Sequence, residues 1–303
     1  VVSVIVPAYG HEAFVTAALD SVAAQTHAAL ELIVIDDCSK DATFDRIRAW
    51  ADAPGRAARF ERLVVRRNEE NLGAHGTLNL GLDLARGAYV SLLNSDDMYD
   101  PARLATLVAT ARRTGAEFLF SGVRVVDDTG LRLTGSELAS RIEYMADYAG
   151  LFPSVSFALL DSNVAVSTGN FFFTRDLAWR VGPFSRLTYC HDWDFILRAC
   201  LLTEPVLTPE PLYLYRVHGA NTFVGLKREE VLEPEFLRHE FFQAGKLGHA
   251  VNPLAPVPSN WPGFFDFFAC SREDSVGWAY DVAGGDQIRM GDLLRRLSEV
   301  GAV

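Results

Sequence analysis

An α/β fold with a parallel sheet flanked by helices is predicted by three observations. Short β-branched runs alternate with amphipathic segments through the first hundred residues. The stretches between those runs are long enough for a helical crossover, which parallel neighbours require. Three of the runs end in polar punctuation, as strands do where an open sheet binds ligands.

The elements follow in order. Val2–Pro7 is a β-branched run closed by proline and reads as a buried strand. His11–Gln25 carries Phe14, Ala17, Ala18, Ser21 and Val22 at helical spacing. Leu30–Ile35 is a second buried strand, Asp41 caps a helix to about Trp50, and Phe60–Val65 is a third strand. A helix over Ala74–Ala85 and a strand over Ala88–Leu93 complete the repeat. A helix from Pro101 to Arg113 leads to a strand over Glu117–Val126 and a turn at Asp127–Gly130. The rhythm then breaks, and residues 131–168 force no single assignment. Gly169–Thr174 reads as a strand, Asp176–Val181 and His191–Leu202 as helices, and Thr208–Val217 as a strand pair or a strand with a turn. Arg228–Gly245 is helical. The aromatic cluster Trp261, Phe264, Phe265, Phe267 and Phe268 reads as core closing over the C-terminal segment. Two domains are expected, 1–222, divided near residue 100 where the regular βα alternation ends, and a mostly helical extension over 223–303.

Composition narrows the function. The 303 residues are 49% hydrophobic and 22% charged, which excludes disorder and fibrous repeats. Lys plus Arg total 28 against 39 Asp plus Glu, a net charge of −11 that argues against nucleic acid as a partner. Cys38, Cys190, Cys200 and Cys270 lie far apart with no C-x-x-C spacing, so zinc and a disulfide framework are not expected. Tyr148–Leu160 is uncharged but contains Pro153 and is shorter than the about 20 apolar residues of a spanning helix. The start, VVSVIVPAYG, is short for a secretory signal and has no basic leader. A soluble, cytoplasmic protein is therefore expected.

The strand ends carry the chemistry. Pro7-Ala8-Tyr9, Asp36-Asp37-Cys38-Ser39 and Asn94-Ser95-Asp96-Asp97 should meet on one edge of the sheet. One acidic pair is as readily a turn former or helix cap. Two pairs converging on one crevice favour a hard cation and a nucleotide.

At these residues the chain resembles family 2 of the inverting nucleotide-sugar glycosyltransferases, whose GT-A fold implies a Rossmann-like, mixed but mostly parallel sheet flanked by helices, with a nucleotide-binding half over 1–100 and an acceptor-binding half over 101–222. The resemblance rests on Val4–Tyr9, Val34–Asp41, Asn71-Leu72-Gly73 and Leu93–Asp97 followed by Pro101. It continues at His191-Asp192-Trp193-Asp194, and at Tyr215–His218 with Asn221. It implies a nucleotide-sugar donor, UDP-sugar favoured, bound by Pro7, Ala8, Tyr9, Asp37, Asn71, Gly73, Asn94, Ser95 and Asp96. It implies Mn²⁺ or Mg²⁺ held by Asp96, Asp97 and His218, and Asp192 as the catalytic base. His191, Trp193 and Asn170 are expected at a glycan or lipid-linked glycan acceptor. The implied setting is bacterial surface-polysaccharide assembly, cytoplasmic or peripheral at the inner face of the membrane.

Three residues depart from the family's pattern: Asn94 where Asp is common, Leu78 where Arg is common, and His191 where Glu is common. Asn94 and His191 keep a non-catalytic glycan-binding or scaffolding domain of the same fold in view. A sugar nucleotidyltransferase fits less well, because no Gly-rich, Lys-bearing loop follows Val6. Asp194 is expected to point away from Asp192, since neighbours on a helical face are three or four residues apart.

Overall fold

A computed structural model describes residues 1–219 and 229–270. In chain order the elements are β1 (Val2–Ala8), α1 (Val15–Ala23), β2 (Leu30–Asp36), α2 (Thr43–Ala51), β3 (Arg62–Arg67), α3 (Gly73–Leu84), β4 (Tyr89–Leu92) and β5 (Met98–Tyr99). There follow α4 (Arg103–Thr114), β6 (Phe118–Val126), α5 (Glu137–Glu143), α6 (Met145–Ala149), α7 (Val155–Asp161), β7 (Phe172–Thr174) and α8 (Arg175–Val181). The last are α9 (His191–Leu202), β8 (Val206–Arg216), α10 (Glu229–Lys246) and α11 (Phe264–Cys270). The chain divides into two compact units. One comprises Val1–Asp147, Ala165–Pro183 and Val206–Gly219, and the other Tyr148–Val164, Phe184–Pro205 and the described residues after 219. The domain boundary expected after residue 222 lies outside the described residues, as do Asn221 and residues 271–303.

The first unit contains a sheet of order β3-β2-β1-β4-β7-β6-β8-β5. β1 runs parallel to both β2 and β4, while β7 is antiparallel to β4 and to β6. The α/β fold with a mixed, mostly parallel sheet is thus as expected. β1 and β2 are buried along nearly their whole length, which explains why they read as continuous apolar runs rather than alternating ones. The α1 residues Val15, Ala18, Leu19 and Val22 are buried at helical spacing and add to the core. α4 stops at Gly115, whose φ of 74° is the left-handed conformation that closes a helix. The chain leaves β1 first toward β2 and β3, then returns to its other side as β4. That reversal is where an open sheet leaves a crevice beyond its strand ends.

Two details differ from expectation. From Thr208 to Arg216 the chain belongs to one long strand, β8, with register shifts at Ser121/Gly122 and Gly122/Val123 of β6 absorbing its irregularity, and Val217 lies just beyond it. The two-residue strand β5 pairs Met98 with Leu214 and Tyr99 with Tyr213. That short pairing brings the end of β8 to the Asn94–Asp97 loop, a long-range event that no local pattern announces. Residues 131–168 prove helical over α5, α6 and α7, with Ser136 and Ser154 as side-chain caps of α5 and α7.

The second unit is built around Phe157 of α7, which is fully buried. Its ring meets Trp261 at 5.0 Å, Phe264 at 5.5 Å and Phe268 at 5.1 Å between centroids. The late aromatic cluster therefore contributes core, while Phe264 and Phe267 remain exposed. No helix of the described residues is long and apolar enough to cross a membrane.

Candidate active site

In the first unit, three strand ends supply the functional groups. β1 ends at Pro7 and Ala8, followed by an exposed Tyr9. After β2, the Asp37 backbone N–H donates to the Ala8 carbonyl at 2.8 Å, tying the two ends together. The next residue, Cys38, has φ 62°, a left-handed kink uncommon outside glycine. Asp37 is buried, and its Oδ1 accepts from Asn68 Nδ2 and from the Leu72 N–H, both at 2.8 Å. Asn71 donates to the Asp37 carbonyl at 3.3 Å and accepts from the Gly73 N–H at 3.0 Å, where Gly73 has φ 73°. Asp37, Asn71 and Gly73 are thus one hydrogen-bonded group. Leu78, at the position where the family often has Arg, is buried in α3 and belongs to packing.

The loop after β4 divides two adjacent carboxylates. Asp96 Oδ2 lies 3.1 Å from His218 Nε2 and 3.7 Å from His11 Nε2. The Ser95 hydroxyl sits 2.8 Å from His11 Nδ1, orienting the ring so that Nε2 faces Asp96. One ligand atom from each of His11, Asp96 and His218 lies within 4.8 Å of the others. Among the described residues these three form the group that could hold a metal ion. Burial raises the Asp96 carboxyl, but the His218 hydrogen bond and the His11 ring outweigh it and hold the group below its usual value.

Asp97, expected as a second ligand, is placed differently. Its Oδ1 accepts from the Arg216 N–H at 2.8 Å, and its Oδ2 accepts from the Tyr213 hydroxyl and from Asn94 Nδ2. Burial and the adjacent Asp96 push its carboxyl well above the usual range. It acts as a buried anchor for β8. Asn94 also donates to Ser167 Oγ at 2.8 Å. A carboxylate there would add a like charge beside Asp97, which is a physical reason for the amide. Asn170, expected at the acceptor, is fully buried. Its Nδ2 donates to the Ser121 and Ala165 carbonyls and its Oδ1 accepts from the Ser121 N–H. It is a strut beneath β6, with no group left to meet a substrate.

In the second unit, Asp192 stands in the first turn of α9. Its Oδ2 accepts from Asn163 Nδ2 at 3.1 Å and its Oδ1 from the Trp193 N–H at 2.7 Å. Burial raises the carboxyl above its usual value, against the pull of His191, the Trp193 N–H and Asn163. Burial therefore outweighs the helix N-terminus, which favours the ionised form. Trp193 anchors its indole N–H on the Leu159 carbonyl at 2.6 Å. His191 is half-buried, edge-on to Phe184. Asp194 has other partners, Ser185 Oγ at 2.6 Å and the Arg198 guanidinium at 2.7 Å. Sequence reasoning missed His11, although a histidine just past the end of the first strand was a usable signal. It also missed Asn163, which nothing local distinguishes.

A sequence model described as Glycosyl transferase family 2 matches residues 3–182. The chain is 28% identical over 238 residues to a PGL/p-HBAD biosynthesis glycosyltransferase of Mycobacterium tuberculosis, covering 78% of this chain and 82% of that one. The structure of S. aureus TarS 1-349 in complex with UDP-GlcNAc is 21% identical with a TM-score of 0.58, covering 80% of this chain and 64% of that one. The mannosyltransferase PcManGT from Pyrobaculum calidifontis, in complex with GDP-Man and Mn²⁺, is 17% identical with a TM-score of 0.61, covering all of this chain and 76% of that one. The fold is that of GT-A glycosyltransferases. With strand ends arranged as above and the family match running through most of the first unit, the chain belongs to glycosyltransferase family 2.

Proposed function

We propose that the protein transfers a sugar from a nucleotide diphosphate donor, UDP-sugar favoured, to a glycan or glycolipid hydroxyl with inversion at the anomeric carbon. The observation that carries the reading is the His11, Asp96 and His218 group at the strand ends of a family 2 chain. Two imidazole nitrogens and one carboxylate oxygen fit Mn²⁺ better than Mg²⁺, which prefers oxygen throughout. A bound divalent cation would neutralise the diphosphate and ease its departure.

The protein's own groups do the rest. Asp37 would accept from a nucleobase N–H through Oδ2, its Oδ1 being engaged by Asn68 and Leu72. Pro7, Ala8 and Tyr9 would wall that slot, and Asn71 and Gly73 hold the loop that closes it. Asp192 would take the proton from the acceptor hydroxyl as it attacks. A carboxyl raised above its usual value holds a proton more strongly, which suits a base. His191 and Trp193, flanking it, are the proposed acceptor contacts. Support for the donor class comes from the two solved structures, whose bound donors are both nucleotide diphosphate sugars. The proposed setting is surface-polysaccharide assembly at the cytoplasmic face of a membrane, and the mycobacterial relative, named for a biosynthetic glycosyltransferase, supports the transferase part of it.

A thermal-shift screen of UDP-, GDP- and dTDP-sugars with Mn²⁺ should select the donor, because a ligand of the folded state raises its apparent stability. Proton NMR of the product's anomeric coupling then tests the mechanism. Inverted configuration is expected. Retention would demand a nucleophilic carboxylate close to the acid/base group, as in retaining glycosidases, and would overturn the assignment of Asp192.

A further inference from the structure

We propose that α10 positions the Asp192 carboxylate through Glu233 and Arg238, making the segment after the family match part of the catalytic apparatus. The proposal rests on Asp192 being the base. Glu233 is fully buried, and its carboxylate gathers three successive backbone N–H groups. Oε1 accepts from Thr188 at 2.7 Å, and Oε2 accepts from Tyr189 and Cys190, each at 2.8 Å. These are the residues that lead directly into His191 and Asp192. Cys190 precedes the first residue of α9 and gives the helix no side-chain cap, so Glu233 supplies the negative charge that a helix start favours. Three convergent N–H groups form an anion nest, and here the anion is part of the chain.

Arg238, on the same helix, grips the other side. Its guanidinium lies 4.8 Å from the centre of the Trp193 ring, just after Asp192. Its Nε donates to the Leu160 carbonyl at 3.1 Å and its Nη2 to the Asp161 carbonyl at 2.8 Å. Those carbonyls end α7, two residues before Asn163, the side chain that donates to Asp192 Oδ2. One helix thus holds the backbone before Asp192, the ring after it and the segment that supplies its hydrogen-bond partner. Neither Glu233 nor Arg238 touches the Asp192 carboxylate, so both are positioning residues.

Glu233→Gln keeps the side chain's size and gives up its charge and one accepting oxygen. Hydrogen exchange should speed up about tenfold or more at the amides of Thr188, Tyr189 and Cys190, as expected for losing charge-assisted bonds. In the same variant, release of nucleoside diphosphate from the UDP-, GDP- and dTDP-sugar panel should show kcat lowered about tenfold, with the donor KM and calorimetric UDP affinity unchanged. Glu233→Asp should recover part of the kcat. Glu240→Gln, a change on an exposed site of the same helix, should alter none of these readings. Unchanged exchange at 188–190, or faster exchange with wild-type kcat, would overturn the proposal. Should Glu233→Gln lose its fold by circular dichroism, Arg238→Lys and Glu233→Asp decide, and wild-type kcat in both overturns it.

Asp192→Asn measured alongside separates the two layers. If it turns over normally, the base assignment fails. If it is inactive while Glu233→Gln is unimpaired, only the positioning role fails. Adding Glu233→Gln to Asp192→Asn should cost nothing further, since both act on one proton transfer.

Discussion

Asp96 and Asp192 are both aspartates at the end of a regular element, yet they reach their places by different means. Asp96 follows β4 in a loop whose Asp96 carbonyl accepts from Arg216 Nε at 2.8 Å, and the pairing of β5 with β8 within one sheet brings it to His218. Asp192 opens α9, and its surroundings are assembled from Asn163 on one segment and Glu233 and Arg238 on another. Their electrostatics also diverge, the first held below and the second above the usual carboxylate value. A carboxylate ringed by imidazoles is prepared to meet a cation. One half-buried against the Asn163 amide and the Trp193 N–H, with its carboxyl raised, suits the taking of a proton. The comparison teaches that strand pairing gathers the candidate metal ligands, whereas side chains from packed helices surround the proposed base.

The strongest test of that division is Asp192→Asn, which should lower turnover by about 10²–10⁴-fold, the range of a positioned base. Donor affinity, measured calorimetrically, should not change; a matching loss of affinity would merge the two sites into one role. Asp96→Ala should remove the divalent-dependent part of donor binding, at least about tenfold by titration with and without EDTA, with the fold retained. Its neighbour should fail otherwise. Asp97→Ala leaves the Tyr213 hydroxyl and the Arg216 N–H without their acceptor and should cost about 1–3 kcal/mol in denaturant unfolding. Its effect on metal affinity should be the smaller of the two.

The mildest expected effect concerns pH. Because the Asp192 carboxyl is raised, its proton is retained to a higher pH than in a free aspartate. The acid limb of kcat should therefore lie above 3.8, the carboxyl's ordinary value, with rate falling as pH falls through the raised value. The stability sign is opposite. A raised carboxyl favours the folded state at acid pH, and that contribution is lost as pH rises through the folded-state value. A rate profile whose acid limb persists in a residually active Asp192→Asn enzyme would assign the limb elsewhere.

Much of the first unit was legible because its signals are local. β1 and β2 are unbroken apolar runs, α1 and α4 carry their apolar faces at helical spacing, and the acidic strand ends follow directly. Asp96 and His218 were singled out from sequence, and they stand together because β5 pairs with β8, a contact between residues more than a hundred positions apart. The fates of Asp97 and Asn170 were hidden for the same reason. Whether an aspartate or asparagine faces a ligand or a row of backbone groups depends on what crosses behind it. Tyr213 and Arg216 occupy the first, and Ser121 and Ala165 the second. Glu233 was invisible as anything but one of several acids on a helical stretch.

The left-handed turn at Cys38 has a practical consequence. Of the cysteine side chains described, Cys200 is buried, and burial pushes the thiols of both Cys190 and Cys200 far up, which slows them as nucleophiles. Cys38 is half-exposed, weakly tethered to the Glu69 carbonyl at 3.6 Å, and adjoins Asp37. An alkylating dye would therefore mark the rim of the proposed nucleobase slot first among them. If the donor fills that slot as proposed, the labelling rate would track its occupancy with no acceptor present.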